Sequence, residues 1–357
     1  MVHGDDFTFL GRDGDLRKIE KTMRSWWDLK LRGILGSGDS DEKELTLLNR
    51  TLRWQGDSLE YEADPRHARE IIEQLGLQEG SNGIEAPSKK VTAAELRVDP
   101  SSATRYRALA AKANYLAMDR ADVQYATKEV SRDMSAPSSV SWSRLKQLAR
   151  YLVRYPRTSW HFRRTPRAQL DSIDVFSDSD WAACVASRKS TSGGVISWGG
   201  TAVKTWSSTQ QTVSRSSGEA ELYALVKAAS EGLGIVALLS ELGRKVQLRV
   251  HCDSSAAIGI ANRSGLGKYR HLDVQLLWIQ GAIRGGGVRL FKCPGLLNPA
   301  DLLTKVMGRA DIAPKLELVG GFYLCDLEYS QVVGGVGMWR PLSVQRSVGR
   351  SRPLVAV

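Results

Sequence analysis

The chain has 357 residues, of which 42% are apolar and 25% charged, enough to bury the cores of about two domains and too apolar for disorder throughout. Fifty Lys and Arg against 39 Asp and Glu leave a net charge of +11, which points to an anionic partner, nucleic acid being the commonest large one. No uncharged apolar run approaches the roughly 18 residues of a membrane helix; the best stretch, 224–239, contains Lys227 and Glu231. Residues 1–14 lack the apolar segment of a signal peptide. Cys184, Cys252, Cys293 and Cys325 form no CxxC pair, which fits a reduced, intracellular protein, cytoplasmic or nuclear, without structural zinc.

In chain order, Val2-His3-Gly4-Asp5-Asp6-Phe7 reads as a tight hairpin, apolar residues resuming after Gly-Asp-Asp. Asp64-Pro65 starts a helix over 66–75 that Gly76 closes, and the Gly-, Ser-, Asn- and Pro-rich residues 80–90 read as a linker. Helices are predicted from Pro100 to about 118, over 123–134, and between Pro137 and Pro156. On the third, Lys146, Arg150 and Arg154 recur every four residues as one basic stripe, while Leu145, Leu148, Leu152 and Tyr155 face elsewhere. The stretch from Met134 to Leu170 carries eight basic residues, no acid and interleaved aromatics, a pattern suited to a nucleic-acid backbone or to a solvated face.

From Ser172 the pattern changes to alternating strands. Strands are predicted at 173–178, 192–198 and 202–207, the last two joined by Gly199-Gly200, followed by a long helix over 218–242. A strand at 247–252, helices at 254–262 and 272–284, a strand at 288–293 and a helix opening at Asn298-Pro299 complete a mixed sheet flanked by helices. Residues 331–357, with four Arg and no acid, read as a disordered tail.

Asp178 and Asp253 end strands, Glu221 lies near the start of the long helix, and Asp301 opens the last helix. Strand ends of an α/β sheet converge on one edge, so the four carboxylates can meet there. Hard oxygen donors without His or Cys select Mg2+ or Mn2+, and two such ions suit in-line phosphoryl displacement. Helical phase does not choose between Glu219 and Glu221, and Asp178 and Asp180 share a strand face.

The blocks Phe176-Ser177-Asp178-Ser179-Asp180-Trp181-Ala182, Ser187-Arg188-Lys189-Ser190-Thr191-Ser192-Gly193, Thr212 to Glu221, Cys252 to Ile258, Arg270-His271-Leu272-Asp273 and Asn298 to Lys305 closely resemble the ribonuclease H domain of copia-type LTR retrotransposon Pol polyproteins. The resemblance implies a ribonuclease H-like mixed α/β sheet and a two-metal endoribonuclease that cuts the RNA strand of an RNA–DNA hybrid. Its catalytic, metal-binding carboxylates fall on Asp178, Glu221, Asp253 and Asp301. His271 is then a helix cap or nucleic-acid contact rather than a proton carrier. Val2-His3-Gly4-Asp5-Asp6 resembles the reverse-transcriptase palm hairpin, with Asp5 and Asp6 as a polymerase remnant. Arg105 to Leu109, Arg120 to Ala126 and Trp142 to Tyr155 resemble thumb and connection helices.

The organisation expected is a partial palm over 1–80, a helical thumb-like region with the basic stripe over 81–170, a ribonuclease H domain over 171–310 and an extension over 311–357, disordered from about 331. A polymerase needs a further Asp from an earlier palm strand, so the chain looks like the C-terminal piece of a longer polyprotein whose polymerase half is inactive. Competing readings are a non-catalytic nucleic-acid-binding relic, a polymerase completed by an upstream segment, and an integrase-type enzyme, which usually uses three acids. The expected partner is RNA–DNA hybrid, with no membrane.

Overall fold

The computed structural model describes residues 1–78, 80–89, 100–267 and 274–324. His271, most of the predicted start of the 272–284 helix, and the tail from 331 lie outside the described residues.

Gly4, at φ +57°, turns β1 (Val2–His3) back onto β2 (Asp6–Phe7) as the Gly-Asp sequence predicts, and the pair forms a two-stranded sheet of its own. An amphipathic helix with no counterpart among the predicted elements, α1 (Asp13–Trp26), follows. Three strands then form a meander: β3 (Glu44–Leu47), β4 (Arg50–Gln55) and β5 (Ser58–Glu62). Asp64 caps α2 (Pro65–Gln74) by accepting from the Arg66 N–H at 3.0 Å. The predicted helical region is present as α3 (Pro100–Ala117), α4 (Ala121–Ser131) and α5 (Ser139–Arg154). A Ser138/Ser141 capping box starts α5, and Leu145, Leu148 and Leu152 are its buried face.

The stretch after Pro156, for which no element was predicted, is a strand, β6 (Thr158–Arg163). It pairs antiparallel with β5 on one side and on the other with β12 (Gly321–Tyr323), giving a second sheet in the order β12-β6-β5-β4-β3. Segments expected in separate units therefore share one sheet. A buried network reinforces the join. Arg120, 1% exposed, forks onto Asp122 at 2.8 and 2.7 Å and donates to the carbonyls of Tyr155 and Pro156. Tyr151 bonds both Asp122 and Tyr323.

The mixed sheet is built from β7 (Ser172–Asp180), β8 (Thr191–Trp198) and β9 (Thr201–Thr209), an antiparallel meander turned at Gly199 and Gly200, whose φ values are +62° and +88°. After α6 (Ser217–Glu241) come β10 (Gln247–Cys252), α7 (Ser255–Asn262), α8 (Trp278–Arg284) and β11 (Val288–Lys292). The order is β11-β10-β7-β8-β9, with β10 and β11 parallel to β7. The predicted helix at Asn298-Pro299 is only a 3-10 turn, Pro299–Leu303, and an α-helix, α9 (Arg309–Glu317), follows it.

Each face of this sheet is covered. Ile173, Val175, Leu248 and Val250 pack under Leu222, Leu225, Ala228 and Ala229 of α6. A Cβ at Gly232 would stand 2.6 Å from Leu248, so α6 approaches as closely as a helix without a side chain permits. Phe176, Val195 and Ala202 face the other core, shared with α4, α5, α9 and the 3-10 turn. By length and composition α6 is apolar enough to cross a membrane despite Lys227 and Glu231; its packing on β7 and β10 accounts for that composition in a core helix.

Candidate metal centre

Parallel pairing sets Cys252 of β10 opposite Ser177 of β7, so Asp253, one residue on, lies beside Asp178. On its other side Asp178 pairs with Gly193 of β8. A Cβ at Gly193 would meet Thr304, Leu303 and the Ala300 carbonyl within 2.9 Å, so the 3-10 turn rests directly on β8. The fully buried Asn298 ties the turn down twice. Its amide donates to the Ser177 carbonyl at 2.9 Å, and its side-chain oxygen accepts from the Ala300 N–H at 3.1 Å. Asp301 is thereby delivered to the ends of β7 and β10.

The start of α6 gives its two glutamates different settings. Ser216 accepts from the Glu219 N–H at 3.2 Å, and the Glu219 carboxylate accepts from the Arg215 N–H at 2.8 Å. Glu219 thus closes the helix N-terminus. Glu221, half a turn on, faces the strand ends, where its carboxylate meets Asp253 and the Cys252 sulfur with donor atoms within 4.8 Å of one another. Among the described residues this is the group of three potential ligands that close together; Asp5 and Asp6 join no such group.

Like charges in a buried place reshape the titration. Burial, with Asp301 and Asp253 nearby, pushes Asp178 up to about 7, although Lys305 and the Thr304 hydroxyl, which donates to Oδ2, oppose it. Burial and then Asp178 push Glu221 up to about 8. Asp253 is raised by burial and by Asp301. Asp301 is the exception: burial pushes it up, but two lysines outweigh burial and hold it below the usual carboxylate range. Lys305 Nζ stands 2.5 Å from Oδ1 and Lys315 Nζ 2.9 Å from Oδ2.

The donor set fits a hard divalent cation. Glu221 Oε2 is buried without a hydrogen bond of ordinary geometry, although Ser179 lies close enough to oppose the rise of its pKa, so the oxygen is an acceptor that a cation would satisfy. The neighbouring Cys252 thiol is pushed up to about 12 by burial and stays neutral, leaving carboxylate oxygens as the ligands.

The other predicted residues lie apart from this centre. Asp5 and Asp6 sit on the exposed hairpin, where Asp6 pairs with Arg32 at 3.0 Å. Of the basic stripe, Lys146 is exposed, but Arg150 donates to the Asn82 carbonyl at 2.9 Å and Arg154 pairs with Glu85 at 2.5 Å. The segment read as a linker thus lies along the stripe and supplies part of its counter-charge. Lys305 and Lys315 were not singled out from sequence. Lys305 follows Asp301 by four residues, at the end of the stretch Asn298 to Lys305, whereas Lys315 lies on α9 and has no local signal.

The fold and site together define a mixed α/β unit with an acidic, hard-donor centre where its parallel strands end. No protein-family model matches the chain. It is 31% identical over 211 residues to the retrovirus-related Pol polyprotein from transposon RE2 of Arabidopsis thaliana, covering 58% of this chain and 14% of that protein. It is 24% identical over 332 residues to the Pol polyprotein from transposon TNT 1-94 of Nicotiana tabacum, covering 90% of this chain and 24% of that protein. The chain is thus a relative of the Pol polyproteins of copia-type retrotransposons, and it spans about a quarter or less of the length of these two relatives. Among solved structures it is similar to LC11-RNase H1 in complex with RNA/DNA hybrid, with a TM-score of 0.28 and 17% identity over 37% of this chain and 94% of that one.

Proposed function

We infer that the chain is a divalent-metal-dependent ribonuclease that cuts the RNA strand of RNA–DNA hybrids, within a retrotransposon Pol polyprotein. The observation that carries this is a chain of neighbouring carboxylates: Glu221, with one buried oxygen unsatisfied, meets Asp253 within 4.8 Å, Asp178 stands close enough to raise Glu221, and Lys305 bridges Asp178 and Asp301. Asp178, Glu221 and Asp253 would hold Mg2+ or Mn2+, with Asp301 completing the set. Two bound ions would supply charge stabilisation to the attacking and leaving oxygens of an in-line phosphoryl displacement.

The protein's own part is placement. Asn298 and Gly193 fix the Asp301 turn against β7 and β8, Thr304 orients the Asp178 carboxyl, and Lys315 anchors one oxygen of Asp301. The basic stripe, on which Lys146 and Arg154 are exposed, would hold the hybrid backbone without reading sequence. The hairpin with Asp5 and Asp6 resembles a palm remnant, and primer extension by the chain alone is expected to give no product, because two carboxylates supply only part of a two-metal clamp.

The test is incubation of the purified chain with labelled hybrid, duplex RNA and duplex DNA, with Mg2+ or with EDTA. Cleavage confined to hybrid RNA and dependent on Mg2+ is expected. Cutting in EDTA, or cutting of duplex DNA, would overturn the assignment.

A further inference from the structure

Two lysines bracket Asp301, and their settings differ. Lys315, 9% exposed, places Nζ 2.9 Å from Asp301 Oδ2, 3.2 Å from the Asn298 carbonyl and 3.5 Å from the Gly295 carbonyl. Its three N–H donors all have partners, so it is fixed. Lys305 is different: its side chain is 42% exposed, and Nζ stands 2.5 Å from Asp301 Oδ1 and 3.5 Å from Asp178 Oδ2. A single cationic group thus spans two carboxylates, and its flexible stem can swing into solvent.

We propose that Lys305 is a built-in, displaceable counter-cation: its ammonium bridges Asp178 and Asp301 in the metal-free protein and leaves when that pair takes a divalent ion. Lys315 stays in place as a positioning residue and confines Asp301 to offering Oδ1. The arrangement keeps the carboxylates together before the ion arrives, and it makes ion binding a competition that the lysine must lose. This rests on the carboxylates being a metal site.

The experiment is Mn2+ binding, followed by the paramagnetic signal of the free ion, on the full chain and on Lys305→Met, Lys305→Gln and Asp253→Asn. Removing the competitor should tighten Mn2+ binding about tenfold, within the usual 5–150-fold range of coupling between two bound groups. Thermal melts give a second readout. Lys305→Met should lower the melting temperature without metal, and the gap to wild type should close at saturating Mn2+, because tighter binding stabilises the variant more. A merely structural ion pair would lower both melts equally. Unchanged or weaker Mn2+ binding in both Lys305 variants, with Asp253→Asn losing it, would overturn the inference and leave the metal site standing. Equal Mn2+ binding by wild type and Asp253→Asn would overturn both.

Discussion

Gly193 touches no reacting group, yet the geometry makes it a sensitive position. In Gly193→Ala the new methyl would stand 2.7 Å from Thr304 Cγ2, 2.8 Å from Leu303 Cβ and 2.9 Å from the Ala300 carbonyl oxygen. Ordinary carbon contacts lie at about 3.5–4.0 Å, so the obstacle must move by roughly 0.6–1 Å. Two of the three atoms are a backbone oxygen and a Cβ, which cannot rotate away. The 3-10 turn must therefore shift as a body, carrying Asp301 and Thr304 with it, while the bond from Asn298 to Ser177 resists. Overpacking of this kind costs about 1–3 kcal/mol of stability. A catalytic group misplaced by about 1 Å costs about 10²-fold in rate. Urea unfolding should show the stability loss, and single-turnover hybrid cleavage at saturating Mg2+ should show a rate lower by about 10–100-fold. Wild-type stability and rate in Gly193→Ala would refute the claim that the turn is seated on β8 and positions Asp301.

The metal-free protein should lose stability as pH rises. Asp178 at about 7 and Glu221 at about 8 lie above their unfolded values near 4, so the folded state binds more protons between about pH 4 and 8. Urea midpoints in EDTA should fall across that window, opposed in its acid part by Asp301, and Mg2+ should restore stability at pH 8.5 but little at pH 5; midpoints rising with pH would contradict this. Asp122→Asn leaves the buried Arg120 without its counter-charge and should cost about 3–5 kcal/mol in urea unfolding, whereas a loss under about 1 kcal/mol would remove the network as the tie between α4 and β12. Replacing Lys146, Arg150 and Arg154 by Gln should weaken binding to all hybrid sequences alike and reduce the slope of log K against log salt by up to about 0.9 per phosphate contact; an unchanged slope assigns the stripe to internal pairing with Asn82 and Glu85 and to solvation.

The order of elements from β7 to β11 was legible because both local signals and burial agree there. Alternation marks the strands, Gly199-Gly200 marks a hairpin, and Leu222, Leu225, Val226, Ala229 and Leu233 mark one face of a helix. The second sheet was not read, although Leu52, Trp54, Leu59 and Tyr61 alternate. Its strands are short and heavily charged because Arg53 links Glu44, Glu60 and Glu62 across them at 2.6–2.8 Å. One of its turns, Leu48-Asn49, takes positive φ without a glycine, so the usual hairpin signal is missing there. β6 and β12 are separated by 157 residues in sequence and pair only through tertiary packing. At the site, the acids could be placed on strand ends, but the choice of Glu221 over Glu219 needed the resemblance; the bond from the Arg215 N–H to the Glu219 carboxylate is a tertiary detail that helical phase does not carry. Lys315 reaches Asp301 from a helix 14 residues on, through a 3-10 turn and a loop whose path no periodicity specifies.

Hybrid cleavage by Asp253→Asn tests the central claim most directly. The substitution keeps the side chain's size and its place beside Asp178 and Glu221 while removing a ligand charge. With Mg2+ and labelled RNA–DNA hybrid, wild type should cut the RNA strand and Asp253→Asn should be slower by at least about 10³-fold, with its fold intact by melting. An Asp253→Asn protein that cuts hybrid at the wild-type rate would contradict the assignment of this carboxylate cluster as the catalytic metal centre.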